Sequence, residues 1–378
     1  MEALTCKKCR RTSSLPSSAQ RIRCYGCKTV YSLSTTTTTT TDAVRYKGST
    51  TDERSLDLSK NKTEAKLCRS LRRKLPFTNP APQQSPSLPG AISLDNEAHR
   101  GRRALICGVS YKNQKHELKG SAQDVKKMSS LLLDHYHFPA ESVLILAEQE
   151  PYLPPTRRHI EAGFEWLMRG VQRGDSLVFY FSGHGKRQRE VVRGDEIDGF
   201  DETICPVDFE ENGMIVDNYI NRAIVRPLVP GVTLHAIIDS CHSGTILDLP
   251  HVYDIKGKWE DNSPPSGAYK GTKGGKAICF SACEDYQLAA DTTVFSKSEK
   301  EMTGAMTITF IQAIKKSGDR KEKISYQGIM NYMHESIKQA GKSGGFFAGI
   351  HRIFHRRILQ DPLLSSSEDF DTSTEFML

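Results

Sequence analysis

Val232-Thr233-Leu234-His235-Ala236-Ile237-Ile238-Asp239-Ser240-Cys241-His242-Ser243-Gly244 is a short apolar run that stops abruptly on small and polar residues. A run of this length, rich in aliphatic and β-branched residues and bounded by turn formers, reads as a buried strand that delivers a cysteine to the rim of a sheet. A second stretch is built alike: Asp175 to Phe181 (DSLVFYF) is apolar and ends at Ser182-Gly183-His184-Gly185. In an open parallel α/β sheet, ligands bind at the carboxyl ends of the strands, so neighbouring strands ending in His184 and Cys241 set an imidazole and a thiol over one crevice. A free cysteine is mostly protonated near neutral pH, and an imidazole activates it by taking the proton or holding the thiolate. The glycines beside both residues permit tight turns and let backbone N–H groups approach a carbonyl oxygen. Taken singly, Cys241 reads as a buried inert thiol and His184 as a satisfied loop histidine; the pair points to nucleophilic catalysis.

Working outward, the same strand-then-helix design repeats. Arg103 to Val109 reads as a strand with a polar exit, and Leu118 to Val125 opens a helix whose apolar positions Val125, Met128, Leu131 and Leu132 recur at helical spacing. Ser142 to Leu146 is a second strand, and Arg157 to Val171 a helix with Ile160, Phe164 and Leu167 on one face. Beyond Cys241, Lys256 to Lys276 is rich in Gly, Pro, Ser and Lys and reads as an exposed loop. Ala277 to Ala282 is a strand, Gly304 to Ser317 and Ser325 to Ala340 are helices, and Gln360 to Phe370 is a weak extended ending. Strands alternating with helices predict an α/β fold with a mostly parallel, helix-covered sheet.

The 378-residue chain has room for one large domain plus an extension. No apolar run is long enough for a membrane span and the N-terminus lacks a signal-peptide core, so an intracellular protein without membrane contact is expected, in the cytoplasm and with room for a nuclear pool as well. Charge is divided unevenly: up to Arg103 there are 20 Lys+Arg against 8 Asp+Glu, and beyond it 32 against 37. The excess of positive charge therefore belongs to the extension. Nucleic acid is not expected as its partner, since no aromatic-stacking motif accompanies the basic residues.

Of the 10 cysteines, four form two CxxC units, Cys6-Lys7-Lys8-Cys9 and Cys24-Tyr25-Gly26-Cys27, separated by 14 residues. Four thiolates in two such knuckles can close a tetrahedral zinc site holding together a unit too small for its own core. Residues 33–99 hold a threonine run, a charged stretch and a Pro-rich segment, a composition that cannot bury enough apolar surface to offset ordering entropy and so predicts a flexible linker.

The two junctions together, Phe181-Ser182-Gly183-His184-Gly185 and Asp239-Ser240-Cys241-His242-Ser243-Gly244, resemble the signature of the metacaspases, cysteine peptidases of the caspase-like fold. The caspase arrangement places its His about 50 residues upstream of its Cys, close to the spacing here. The resemblance runs from about Arg102 to the C-terminus, through Gly194 to Thr203, Ile246 to Pro250 and Thr303 to Thr307, and is closest to the plant type I subgroup. Residues 1–32 resemble the lesion-simulating-disease (LSD) type zinc finger that precedes such domains, with departures at Ser13 and Ser18. The implied layout is a finger at 1–32, a basic linker at 33–99 and a peptidase domain at 100–378. The domain's larger part is about 100–255, its loop 256–276 and its smaller part 277–378.

The resemblance implies Cys241 as nucleophile, His184 as general base and then acid, and an oxyanion hole from the backbone N–H groups of Gly185 and Cys241. His242, adjacent to the nucleophile, is set aside because adjacent residues leaving a strand diverge. A specificity pocket falls on Ser121, Asp124, Ser182 and Asp239, whose two carboxylates favour Arg or Lys in the substrate and refuse Asp. An activating calcium falls on Asp201, Asp217, Asn218 and Asp248, where Asn218 stands in a position usually filled by Asp. The expected protein is a monomeric endopeptidase acting on protein substrates with exposed Arg or Lys. It is made as a zymogen, cuts itself near Arg100 to Arg103 or Lys256 to Lys276, and acts in programmed cell death or stress response. The alternative is an adaptor whose finger binds a protein partner, with weak or dispensable catalysis.

Overall fold

The computed structural model describes residues 101–254, 257–282, 303–319, 323–342 and 362–378, and short strands at 2–5, 12–15, 21–23, 30–32 and 291–292. The linker 33–99, and Cys6, Cys9, Cys24 and Cys27, lie outside the described residues.

Near the N-terminus, Glu2–Thr5 pairs with Thr12–Leu15 and Arg21–Arg23 with Val30–Ser32, both antiparallel. Each CxxC unit thus falls in the connection between two paired strands.

The large sheet has eight strands: β1 (Arg102–Gly108), β2 (Val143–Ala147), β3 (Ser176–Ser182), β7 (Thr233–Asp239), β8 (His251–Tyr253), β9 (Trp259–Asp261), β10 (Lys276–Ser281) and β11 (Leu363–Ser366). Their order is β9-β8-β11-β10-β7-β3-β1-β2, parallel from β10 to β2 and antiparallel from β10 to β9. A smaller antiparallel sheet joins β4 (Gly185–Arg189), β5 (Phe200–Ile204) and β6 (Ile215–Val216). Among the described residues, four helices of ten or more residues complete the frame: α1 (Ser121–Ser130), α2 (Arg157–Met168), α3 (Ala305–Asp319) and α4 (Tyr326–Lys342).

Side chains alternate across a strand, and here both faces are covered. Ala104, Ile106, Val178, Tyr180, Ile237, Ile278 and Phe280 pack on the face of α1, α3 and α4, while Leu105, Cys107, Leu177, Phe179, Phe181, Ala236, Ile238 and Cys279 pack on the face of α2. That two-sided burial explains why the strands read as continuous apolar runs rather than alternating ones. α2 begins where Thr156 accepts a hydrogen bond from the His159 N–H at 3.2 Å, an N-cap after a proline pair.

The predicted elements all form, with ends displaced by up to four residues. Two expectations change. Residues 256–276 are not all exposed loop: Trp259–Asp261 extends the sheet, Lys270 is buried, and Lys258 and Lys273 are exposed. Arg103, part of a proposed processing region, is 1% exposed inside β1, its guanidinium 3.0 Å from Asp175 and 2.6 Å from the Arg169 carbonyl. A peptidase cannot take an arginine so held, because extracting it would leave a buried carboxylate without its cation.

His235 in β7 is buried against α4, its Nε2 2.7 Å from the Tyr326 hydroxyl. Burial, and then the charge of Lys276, hold its pKa down to about 3 from the ordinary 6.5. The unfolded chain therefore takes up a proton that the folded one refuses, so this contribution to stability is complete above pH 6.5 and is lost as pH falls toward 3. Between pH 6.5 and 4 the unfolding free energy should drop by about 3 kcal/mol from this residue. Unfolding free energies from urea titrations at the two ends of that window should fall by about 3 kcal/mol less in His235→Gln; an equal fall in both proteins would remove His235 from the account.

Candidate active site

The register of β3 and β7 sets the site. Asp239 pairs with Ser182, so His184 and Cys241 each lie two residues past the last matched pair on adjacent parallel strands, which run about 5 Å apart. The loops then lean together: the Gly183 N–H donates to the Asp239 carbonyl at 3.2 Å, and a Cβ placed on Gly185 would fall 1.9 Å from the Cys241 carbonyl oxygen. Only glycine permits that approach. The Cys205 N–H donates to the His184 carbonyl at 3.0 Å, and Gly185 pairs with Ile204. In that antiparallel pattern Gly185 belongs to a pair without mutual hydrogen bonds, which leaves its N–H directed off the ladder.

His184 is held from three sides. Its Nε2 lies 2.7 Å from the His116 carbonyl, its backbone N–H donates to the Tyr111 hydroxyl at 2.9 Å, and its ring packs on that of Tyr111 with centroids 4.7 Å apart. A carbonyl only accepts, so Nε2 carries the proton and Nδ1 keeps the lone pair. The Tyr111 hydroxyl in turn donates to the Cys205 carbonyl at 2.6 Å, and burial, followed by nearby Cys205, keeps its pKa well above the usual phenol value. The loop carrying Tyr111 is gathered by the Glu148 carboxylate, which accepts from the N–H groups of Ser110, Tyr111 (2.8 Å) and Lys112 (3.0 Å).

Among the described cysteines, Cys107, Cys205 and Cys279 are buried, and Cys241 is partly exposed. Burial raises the pKa of all three buried thiols, that of Cys205 to about 12, which keeps them protonated and inert. His242 sits at φ +51, in the left-handed region.

Three of the four residues expected to form a pocket, Asp124, Ser182 and Asp239, are brought together, and Ser121 is buried at the start of α1. Ser121, Asp124, Ser182 and Asp239 are buried to within 5% exposure. Ser182 Oγ donates to Asp124 at 2.9 Å, the Gly304 N–H donates to the same carboxylate at 3.0 and 3.1 Å, and Thr307 donates to Asp239 through its N–H (2.8 Å) and hydroxyl (2.7 Å). Gly304 separates the two acids so closely that a Cβ there would stand 2.0 Å from Asp239 Oδ2. Gly304, just before α3, and Thr307 in its first turn thus anchor both carboxylates, a contribution made largely by backbone N–H groups, which no side-chain motif announces.

Of the four residues expected to hold calcium, Asp217 and Asp248 come together. Carboxylate oxygens of Glu196, Asp217 and Asp248 lie within 4.8 Å of one another. Asp201 is fully buried, with its Oδ1 lacking a hydrogen-bond partner. Burial and then Asp248 push Glu196 up to about 12, and Asp217 shifts the same way for the same reasons. Such a set of hard oxygen donors, costly to ionise together without a countercharge, fits an oxygen-liganded divalent cation. Asp195, Glu196 and Lys270 were not foreseen: Lys270 Nζ reaches Asp195 at 2.9 Å, Asp248 at 2.6 Å, Asn218 Oδ1 at 2.5 Å and Glu196 at 3.7 Å.

A cysteine and a histidine presented at the carboxyl ends of a parallel, helix-covered sheet, beside two buried carboxylates, define a caspase-like cysteine peptidase architecture. The comparisons with known proteins refine the class. The model for "Metacaspase, peptidase C14 domain" matches residues 102–250. Metacaspase-1 of Arabidopsis thaliana is 39% identical over 97% of this chain and 94% of its own, and Metacaspase-3 of the same plant is 45% identical over 73% and 75%. Metacaspase-1B of Neurospora crassa is 32% identical over 79% of this chain and 76% of its own. The chain belongs to the metacaspase family, of the plant type I group, and is a cysteine-type endopeptidase. Among solved structures, a Geobacter sulfurreducens protein is 18% identical with a TM-score of 0.46, covering 72% of this chain and 97% of its own. Caspase-1 of Spodoptera frugiperda is 9% identical with a TM-score of 0.41, covering 76% and 94%. Among the described residues no helix is long and apolar enough to cross a membrane.

Proposed function

We propose that the chain hydrolyses peptide bonds after Arg or Lys, with Cys241 as nucleophile and His184 as base. The observation that carries the reading is the convergence of buried Asp124 and Asp239 on either side of Gly304, next to the strand ends that bear the dyad. Because Nε2 is committed to the His116 carbonyl, Nδ1 takes the Cys241 proton. The thiolate then adds to the scissile carbonyl, and the oxyanion is met by the N–H groups of Gly185 and Cys241. His184 returns its proton to the departing amine, leaving an acyl-enzyme that water, deprotonated by the same nitrogen, hydrolyses. The pocket's charge selects a cation, which forms charge-assisted hydrogen bonds there, and an Asp side chain meets repulsion.

The chain is a zymogen in this reading, processed by its own activity at exposed lysines such as Lys258 or Lys273, and it acts in cell death or stress signalling. Calcium is held by Asp201, Asp217, Asn218 and Asp248, with Glu196 added; when bound it supplies countercharge that orders the acidic loops. Zinc is held by Cys6, Cys9, Cys24 and Cys27, a reading supported by the paired strands that bracket each CxxC. The finger then serves as a docking point for a protein partner, and the adaptor alternative rests on that finger alone.

A fluorogenic panel with Arg, Lys or Asp before the scissile bond, run with calcium and with chelator, tests the assignment. The expected result is turnover of the Arg and Lys peptides, raised by calcium, and none of the Asp peptide. Turnover of the Asp peptide alone would overturn the pocket.

A further inference from the structure

The acidic loops already contain a cation. Lys270 is 7% exposed, and its ammonium makes three hydrogen bonds, to Asp195, Asn218 and Asp248, with Glu196 at 3.7 Å. An ammonium has three donors, and all three are used. Two of these partners, Asn218 and Asp248, are residues proposed above to ligate calcium, and Asp217 and Glu196 complete the same cluster. Two full positive charges cannot share these oxygens at hydrogen-bonding and coordination distances, because their mutual repulsion in a buried setting exceeds what the same ligands return.

The segment that carries Lys270 is tied down independently. Asn221 Nδ2 donates to both the Lys270 and the Leu247 carbonyls at 2.9 Å, and the Ser266 N–H donates to the Gly194 carbonyl at 2.8 Å. The lysine is thus built into the site rather than reaching it as a mobile surface side chain.

We propose that Lys270 is an intramolecular cation occupying the divalent-ion position, so that calcium enters only by expelling the ammonium and loosening the 262–275 segment. The proposal rests on the calcium reading and extends it: the metal's apparent affinity is set by a competitor within the chain. Occupancy of the position by an internal cation also accounts for the Asn at 218, since one lost negative charge is tolerable where the resident ion is monovalent.

The test uses full-length Cys241→Ala protein, which cannot cut itself. Calorimetric titration with calcium chloride compares Lys270 with Lys270→Gln, both checked for folding by circular dichroism. The expected result is a Kd at least about tenfold lower in Lys270→Gln. Amine-reactive labelling of the Lys270 protein provides a second readout independent of the substitution. Lys270 should be protected in chelator and become labelled at saturating calcium, as read by mass spectrometry of the peptide that contains it. Calcium binding with equal Kd in both proteins, or binding that leaves Lys270 protected, overturns the competition while the calcium site stands. Failure of both proteins to bind at millimolar calcium removes the calcium site and the competition together.

Discussion

Cys241→Ala should fold and should not cleave. The expected loss in kcat/KM on Arg and Lys peptides is about 10⁴-fold or more, the scale seen when the nucleophile of a coupled catalytic unit is removed. Full-length Cys241→Ala should also remain a single uncut polypeptide under conditions in which the parent protein fragments. The remaining described thiols are no substitute, since Cys107, Cys205 and Cys279 are buried and held protonated. The alanine leaves the Cys241 backbone N–H in place, so the variant separates loss of the sulfur from loss of an oxyanion donor. Retention of more than about a hundredth of the activity would assign the nucleophile elsewhere. Stability is the internal control: the site is partly exposed, so melting should shift little.

The second large effect concerns the pocket. Asp239→Asn and Asp124→Asn preserve side-chain size while removing one charge each, and each should lower kcat/KM for Arg and Lys substrates about 10²-fold or more. Removing one partner of a buried charged pair leaves the substrate's cation desolvated without its anion, which is the source of that magnitude. The effect should fall on charged substrates and spare active-site thiol titration by an uncharged alkylating agent, which brings no cation for the two acids to meet. Thr307 gives Asp239 two hydrogen bonds on one oxygen, and the single Gly304 N–H is shared between the two Asp124 oxygens, so each asparagine keeps an acceptor oxygen for its donors. Unchanged kinetics in both variants would show that the carboxylates serve only to anchor α3.

The dyad was legible in the sequence because two apolar runs of strand length ended on Ser-Gly-His-Gly and Asp-Ser-Cys-His, and parallel sheets bind ligands at that end. The two-sided burial of β1, β3, β7 and β10 was equally legible as uninterrupted aliphatic and aromatic runs. What escaped notice acts through the main chain or across long separations. His116 contributes a carbonyl, which no side-chain motif announces, and Glu148 works by collecting the N–H groups of Ser110 to Lys112. Lys270 looked like one of several basic residues in a Gly- and Lys-rich loop, and only the folded chain distinguishes it from exposed Lys273. Arg103 misled for the opposite reason, since a basic cluster reads as surface until Asp175 is seen beside it.

The order of the large sheet interleaves its early and late parts. β8 and β9, which precede Lys270, lie outboard of β11, and β11 lies outboard of β10, both of which follow it. Scission of the connecting segment therefore yields two fragments laced like the fingers of clasped hands. They would travel together through any non-denaturing separation, so the self-cleavage proposed above would alter covalent continuity without dispersing the catalytic body.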